Sequence, residues 1–323
     1  MSHIVRASLL ATLCALFAAP ALAAGPYPDR PIRLIVPFAP GGGSDINARI
    51  LAEPIGTALG QSIVIDNRGG AGSSLGSAIA AKSTPDGYTL LLGTISLTIN
   101  AAVYKELPFD AQRDLVPITR VSDQPSILVS HMSLPAKTLT DVIALARSQP
   151  GKLTFGSAGI GTGSHLATTL LALKTKTEMI HVPFRGTGPA LTALLSGEIT
   201  VLMSTFASAL PFVKQGRLRA YAVTTLKRAD PLPEVPTIAE EVVPDFEYAA
   251  WYGLFAPAGT SRQIIDKVHE AAVGALKSPQ VLALYKIQGL NATPMTTAEF
   301  RKYFAAERKK WADVVREAKI TQQ

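Results

Sequence analysis

The stretch IRLIVPFAPGGGSD, Ile32 to Asp45, runs from an apolar segment through a glycine-rich turn into a helical pattern that continues to Leu59. Near-continuous apolarity over Ile32–Phe38 predicts a strand buried on both faces. A turn of this kind between strand and helix predicts a crevice beyond the strand's carboxyl end. The same rhythm recurs along the chain. Strands are expected at Ser62–Asn67, Tyr88–Thr94, Leu153–Ser157, Met179–Phe184, Ile199–Ser204 and Leu218–Thr224. Helices are expected at Leu75–Lys82, His165–Leu173, Pro189–Leu195 and Ser208–Gln215. Two such series imply an α/β protein of two lobes, each a mainly parallel sheet flanked by helices. Pro125–His131 and Phe246–Pro257 read as extended passages between the lobes. The first lobe is expected over residues 24–124 and 247–323, and the second over 125–246. The last part is helical at Ser261–Lys277 and Thr297–Ala318, the latter starting at the capping box Thr296-Thr297-Ala298-Glu299.

The first residues, MSHIVRASLLATLCALFAAPALA, have the layout of a secretory signal: Arg6, an apolar core over Ala7–Ala19, and the small-residue triplet Ala21-Leu22-Ala23. Cleavage is expected before Ala24, so residues 1–23 are read as a signal peptide and the destination as the periplasm. The core is shorter than the ~20 residues a spanning helix needs. The chain's only cysteine, Cys14, lies in this segment, which leaves the mature protein without thiol or disulfide. At 323 residues and 47% hydrophobic, the chain is large enough for two cores. Its net charge of +7 suits anionic small molecules. The densest basic segment, Arg301–Lys319, keeps helical apolar spacing and reads as a solvated helix face, so no nucleic-acid partner is expected. A monomer is expected.

Three loops rich in small residues fall at the crevice: Phe38–Asp45, Asn67–Ser74 and Ser157–Ser164. Each runs into a helix, whose free N–H groups and positive end suit an anion. Ser44, Ser157 and Thr162 add hydroxyls. Neither the phosphate loop G-x-x-x-x-G-K-[ST] nor the dinucleotide fingerprint G-x-G-x-x-G is matched, so a carboxylate is the better occupant. Gly72-Ser73-Ser74-Leu75-Gly76 does match G-x-S-x-G, which leaves a secreted serine hydrolase with Ser74 as nucleophile as the alternative. No H-x-x-H or H-E-x-x-H is present, and neither a metal nor a cofactor is expected. His165 and His181 adjoin crevice loops as hydrogen-bonding or structural imidazoles. Arg185 could clamp a carboxylate or stand at the surface.

The ordered series YPDRPIRLIVPFAPGGGSD, VIDNRGGAGSSLG, PDGYTLLLGT, SAGIGTGSH, HVPFRGTGPA and WYGLFAPAGT strongly resembles the Bug family, the extracytoplasmic receptors of tripartite tricarboxylate transporters. The resemblance spans the mature chain. It implies a type II, flytrap-like periplasmic binding protein that is not an enzyme, holds a carboxylate through neutral donors, and works with membrane permease subunits or, instead, a sensor kinase. Carried over by position, the ligand-binding residues are Phe38, Ala39, Pro40, Gly43, Ser44 and Asp45, then Ser157, Gly159, Gly161, Thr162 and His165, with Thr94 beside them. Arg185 and Ser204 complete the expected set. The chain departs from the family at Ser196–Thr200 (where many read G-G-Q-V-D), at Ser204-Thr205 (commonly Asp-Asn) and at Thr168–Leu171 (often G-E-L-F). Three acidic options near the cleft are thereby gone. A cationic amine would find no counter-ion there, which favours a plain mono- or dicarboxylate, aromatic ones included, over an amino acid.

Overall fold

Strand β1 (Ile32–Val36) is buried along nearly its whole length and pairs in parallel with β2 (Ile63–Asn67) on one side and β3 (Thr89–Thr94) on the other. Helix α1 (Gly43–Leu59) follows the glycine-rich turn and stops at Gly60, whose left-handed backbone lets its N–H reach the Gly56 and Thr57 carbonyls. Helix α2 (Ser74–Ala81) follows β2, and α3 (Ser96–Val103) follows β3. The computed structural model describes residues 27–317; the expected signal segment and Cys14 lie outside them. Among the described residues no helix is long and apolar enough to cross a membrane.

Strand β4 (Leu115–His131) ties the molecule together. Its first part, to Pro125, runs antiparallel to β9 (Ala249–Pro257) beside β3. Its last part, from Ser126, lies between β7 (Val201–Thr205) and β8 (Leu218–Val223), antiparallel to both. Beyond β7 come β5 (Thr154–Ser157) and β6 (Ile180–Pro183), paired in parallel. Each half therefore keeps most strands in one direction and admits a reversed one, β9 in the first and β4 in the second. The connections are helical: α4 (Leu139–Ser148), α5 (Gly163–Thr175), α6 (Thr187–Leu195), α7 (Phe206–Lys214) and the short α8 (Ile238–Glu241). After β9 the chain forms α9 (Arg262–Lys277), α10 (Pro279–Gln288), the two-residue β10 (Asn291–Ala292) and α11 (Thr297–Glu317).

Two passages cross between the halves, and Thr224 fastens them together. Its hydroxyl accepts from Ser126 N at 2.8 Å and donates to the Tyr248 carbonyl at 2.7 Å, while its own N–H reaches the Ser126 carbonyl. The extended passages expected from sequence are thus sheet strands over most of their length. Leu115–Gln124, α3, α4 and α10 are elements the periodicity did not reveal.

Helix α11 covers β9. Trp251, Phe255, Phe300 and Phe304 meet largely edge-on at centroid separations of 5.2–6.2 Å, contacts worth about 0.5–1.5 kcal/mol each beyond burial. The expected capping box forms: the Thr296 hydroxyl accepts from Glu299 N, and the Glu299 carboxylate accepts from Thr296 N. Glu307 accepts the indole N–H of both Trp251 and Trp311 at 2.9 Å. Gly253 sits between Trp251 and Phe255, where a Cβ would overlap the Phe300 ring. Gly253→Ala is therefore expected to cost about 1–3 kcal/mol by overpacking, read as a lower urea midpoint. Adding Phe300→Leu should recover part of the loss; no recovery would mean that the ring is not what the methyl group meets.

Candidate functional site

A small cavity of about 50 Å³ lies between the halves. Five helices begin at its wall: α1 at Gly43-Ser44, α3 at Ile95-Ser96, α5 at Thr162–Ser164, α6 at Thr187 and α7 behind Thr205. None is capped by the side chain of its own N-cap residue. Helices that start elsewhere are capped, by Thr138, Thr237, Ser261, Ser278 and Thr296. The exception is α2, uncapped at a start that does not line the cavity. Side chains from elsewhere meet two of them, the Thr94 hydroxyl at Ser96 N of α3 and Gln124 Oε1 at Ala207 N of α7. The uncapped starts of α1, α5 and α6 carry the positive ends of their helix dipoles, so their convergence favours negative charge. Phe38, Trp251 and Ala250 supply apolar wall, and Tyr248 and Tyr252 supply hydroxyls. Among the described residues, no side chain on the lining is charged.

Of the residues expected at the site, Phe38, Gly43, Ser44, Thr94 and Thr162 line this cavity. The others are placed differently. Asp45 is buried and turned back into its own turn, accepting from Gly41 N, Asn67 Nδ2 and Arg49 Nε at 3.0–3.1 Å. Burial opposes its ionisation, but the hydrogen bonds from Arg49, Gly41 and Asn67 outweigh it and hold the carboxyl below its usual range. It braces the turn without presenting charge to the cavity. Ser157 is fully buried behind Ala158 and shares its hydroxyl with Gly159 and His181 Nε2, the latter at 2.6 Å. Ser204 is fully buried and donates to the Thr205 carbonyl, so Thr205, one position on, is the residue at the wall.

Ala39, Pro40, Gly159, Gly161 and Arg185 belong to or adjoin a seam where the halves meet. Ala39 N donates to the Arg185 carbonyl at 3.0 Å, and Tyr104 donates to the Ile160 carbonyl at 3.0 Å. The exposed Arg185 joins the halves through its backbone; its side chain is not part of the cavity wall. Two further glycines make the approach possible. A Cβ at Gly188 would overlap the Pro40 carbonyl oxygen, and one at Gly72 would overlap that of Ile160. Glycine in these loops therefore serves close contact between backbones. Ile95, Ser96, Ser126, Thr187, Thr205, Tyr248, Trp251 and Tyr252 escaped the sequence reading. The Trp-Tyr pair within the family motif WYGLFAPAGT was the available signal.

His165 stands outside the wall, in a stack of Phe155, His181 and His165 whose histidine rings lie 4.1 Å apart. Its Nδ1 accepts from Gly161 N. Among the described residues no group of three or more His, Cys, Asp or Glu could hold a metal ion. Ser74, the alternative nucleophile, donates to the Ala71 carbonyl at 2.7 Å. The histidines bond elsewhere: His131 with Ser133, His165 with Gly161, His181 with Ser157 and His269 with Met295. Among the described residues, no histidine is hydrogen-bonded to the Ser74 of the G-x-S-x-G match.

Burial lowers His165 from 6.5 to about 4, and burial with the neighbouring His165 lowers His181 to about 3. Both are neutral at pH 7. Because the unfolded chain takes up these protons first, stability is lost as pH falls from about 6.5 through 4 and toward 3. His165→Gln should flatten the upper part of that fall in urea midpoints measured across pH; an unchanged slope would assign the acid sensitivity to other groups.

Residues 47–320 match the family TctC, described as Tripartite tricarboxylate transporter family receptor. Protein BugT of Bordetella pertussis (strain Tohama I) is 37% identical over 298 residues, covering 92% of this chain and 91% of that protein. The structure of periplasmic binding protein BugD superposes with a TM-score of 0.89 at 30% identity, over 92% of this chain and 100% of that one. R. palustris Rpa4515 with adipate gives a TM-score of 0.89 at 32% identity over the same shares. The fold is that of a two-lobed periplasmic binding protein, and the chain belongs to the TctC, or Bug, family of tripartite tricarboxylate transporter receptors.

Proposed function

We propose that this protein is a periplasmic receptor that captures a small carboxylate between its lobes and presents it to the permease subunits of a tripartite tricarboxylate transporter. The ligand is a mono- or dicarboxylate with an aliphatic or aromatic body. The observation that carries the reading is the cavity wall: uncapped helix starts from both halves converge on it, and no charged side chain lines it. A carboxylate there meets neutral donors without repulsion and without a buried cation to desolvate. Adipate in the R. palustris neighbour supports the ligand class. The signal-like residues 1–23 support the compartment.

In this reading the described residues 27–124 with 247–317 make one lobe and residues 125–246 the other, hinged where Thr224 fastens the crossings. Contacts from both lobes favour the closed form, and only that difference shifts the population. Charge-assisted hydrogen bonds contribute about 1.5–3 kcal/mol each. A handful of them, less closure and desolvation costs, supports micromolar affinity or better.

Thermal-shift screening of the mature protein against a carboxylate panel tests the function, because a ligand selective for the folded state raises the midpoint. Plain carboxylates should raise it more than glutamate does; glutamate ranked above every non-amino acid would overturn the ligand class. Gly188→Ala tests closure. Alanine suits the helix there, but its methyl group would overlap the Pro40 carbonyl oxygen across the seam. Affinity for the best panel member should fall about tenfold or more, the scale of a 1–3 kcal/mol overlap, with little change in the unliganded midpoint. Unaltered affinity would mean that capture does not need the seam shut.

A further inference from the structure

We propose that the Tyr252 hydroxyl is a directed hydrogen-bond donor to the captured solute, and that Gln124 sets its direction. The proposal rests on the carboxylate reading and deepens it by naming a side chain that recognises the ligand. Gln124 is the penultimate residue of β4 before the crossing to the second half, and it is fully buried. Its Oε1 lies 3.0 Å from Ala207 N, in the first turn of α7. A backbone N–H can only donate, so that end of the amide has to be the oxygen. The other end is then the NH₂ group, which can only donate, and it lies 2.6 Å from the Tyr252 hydroxyl oxygen. The hydroxyl accepts there, and its own proton must point elsewhere.

The open direction is the cavity. Tyr252 lines it and is 2% exposed. A Cβ at Gly43, whose backbone is also on the wall, would overlap the same hydroxyl. The Tyr252 hydroxyl has no second hydrogen-bond partner among the described residues. Burial pushes its ionisation upward against the opposing Gln124 bond, so it stays protonated at any physiological pH. Backbone N–H to amide oxygen, amide N–H to hydroxyl oxygen and hydroxyl proton to ligand form one chain of donors with a single sense. It starts at the positive end of a helix of the second half and emerges from a tyrosine of the first. Such bonds polarise one another in a low-dielectric interior. A seat of this kind accepts a carboxylate oxygen and offers nothing to an ammonium group.

Calorimetric titration with three probes, adipate, malate and benzoate, tests the proposal on wild type, Tyr252→Phe, Gln124→Glu and the double variant. Tyr252→Phe keeps the ring and removes the donor. Gln124→Glu keeps an acceptor for Ala207 N but replaces the amide donor with an acceptor, turning the Tyr252 proton away from the cavity. Each single change should weaken the tightest probe by about tenfold or more, the scale of one charge-assisted hydrogen bond. The double variant should be no weaker than the weaker single, a non-additivity that a merely structural Gln124 would not produce. Tyr252→Phe should also lower the unliganded urea midpoint, because it leaves the buried Gln124 NH₂ without a partner, so affinities are compared where every variant is folded. If Gln124→Glu does not fold, Gln124→Met, which cannot donate to Tyr252, replaces it with the same expectation. Wild-type affinity in Tyr252→Phe would overturn the assignment, and additive losses would overturn the role of Gln124. Failure of wild type to bind any of the three probes would overturn the carboxylate reading itself, and this proposal with it.

Discussion

The arrangement depends on how closely two backbones can approach across the gap between the halves. At Gly188 against Pro40 and at Gly72 against Ile160 there is no room for a single methyl group. Only with those contacts made do helix starts from opposite halves face one cavity, and only then can Ala39 N reach the Arg185 carbonyl. The glycine-rich turns are therefore doubly constrained. They expose amide donors, and they also provide the surface on which the halves meet.

The choice of neutral donors follows from the same enclosure. A lysine or arginine on so small a wall would need its own hydration replaced on closing, and a carboxylate side chain would repel an anion outright. The chain avoids both. Asp45, the one ionised group in the first turn, has its oxygens committed to Gly41, Asn67 and Arg49. Its negative charge stiffens the turn while staying off the cavity wall. The stacked histidines play a comparable supporting part behind the Ser157–Ser164 loop, neutral and hydrogen-bonded to the loop's own residues.

Periodicity made most of the architecture legible, because buried parallel strands are apolar without interruption and their helices are amphipathic. It failed where that logic lapses. Leu115–Gln124 contains Pro117, Arg120 and Asp123, which break the apolar run, yet it pairs along β9. Helix α10 turns Leu282, Leu284 and Ile287 outward and so lacks a polar face to announce it. At the site, local motifs located the turns but not the orientation of each residue within them. Ser204 and Thr205 differ by one strand position, and that decides which reaches the wall. The partner of Gly188 lies in Pro40, and the partner of Tyr252 in Gln124, separations that no window of sequence spans.

Trp251 and Trp311 are the chain's two tryptophans, and both nitrogens bond the same Glu307 oxygen. Trp251 is a residue of the cavity wall whose indole packs edge-on to Phe300 and Phe304, and the Trp311 indole stands edge-on to Tyr248, which lines the cavity too. Both tryptophans of the molecule thus belong to or adjoin residues of the cavity wall. A solute seated there would alter their emission, so the protein would report its own occupancy optically, with no label required.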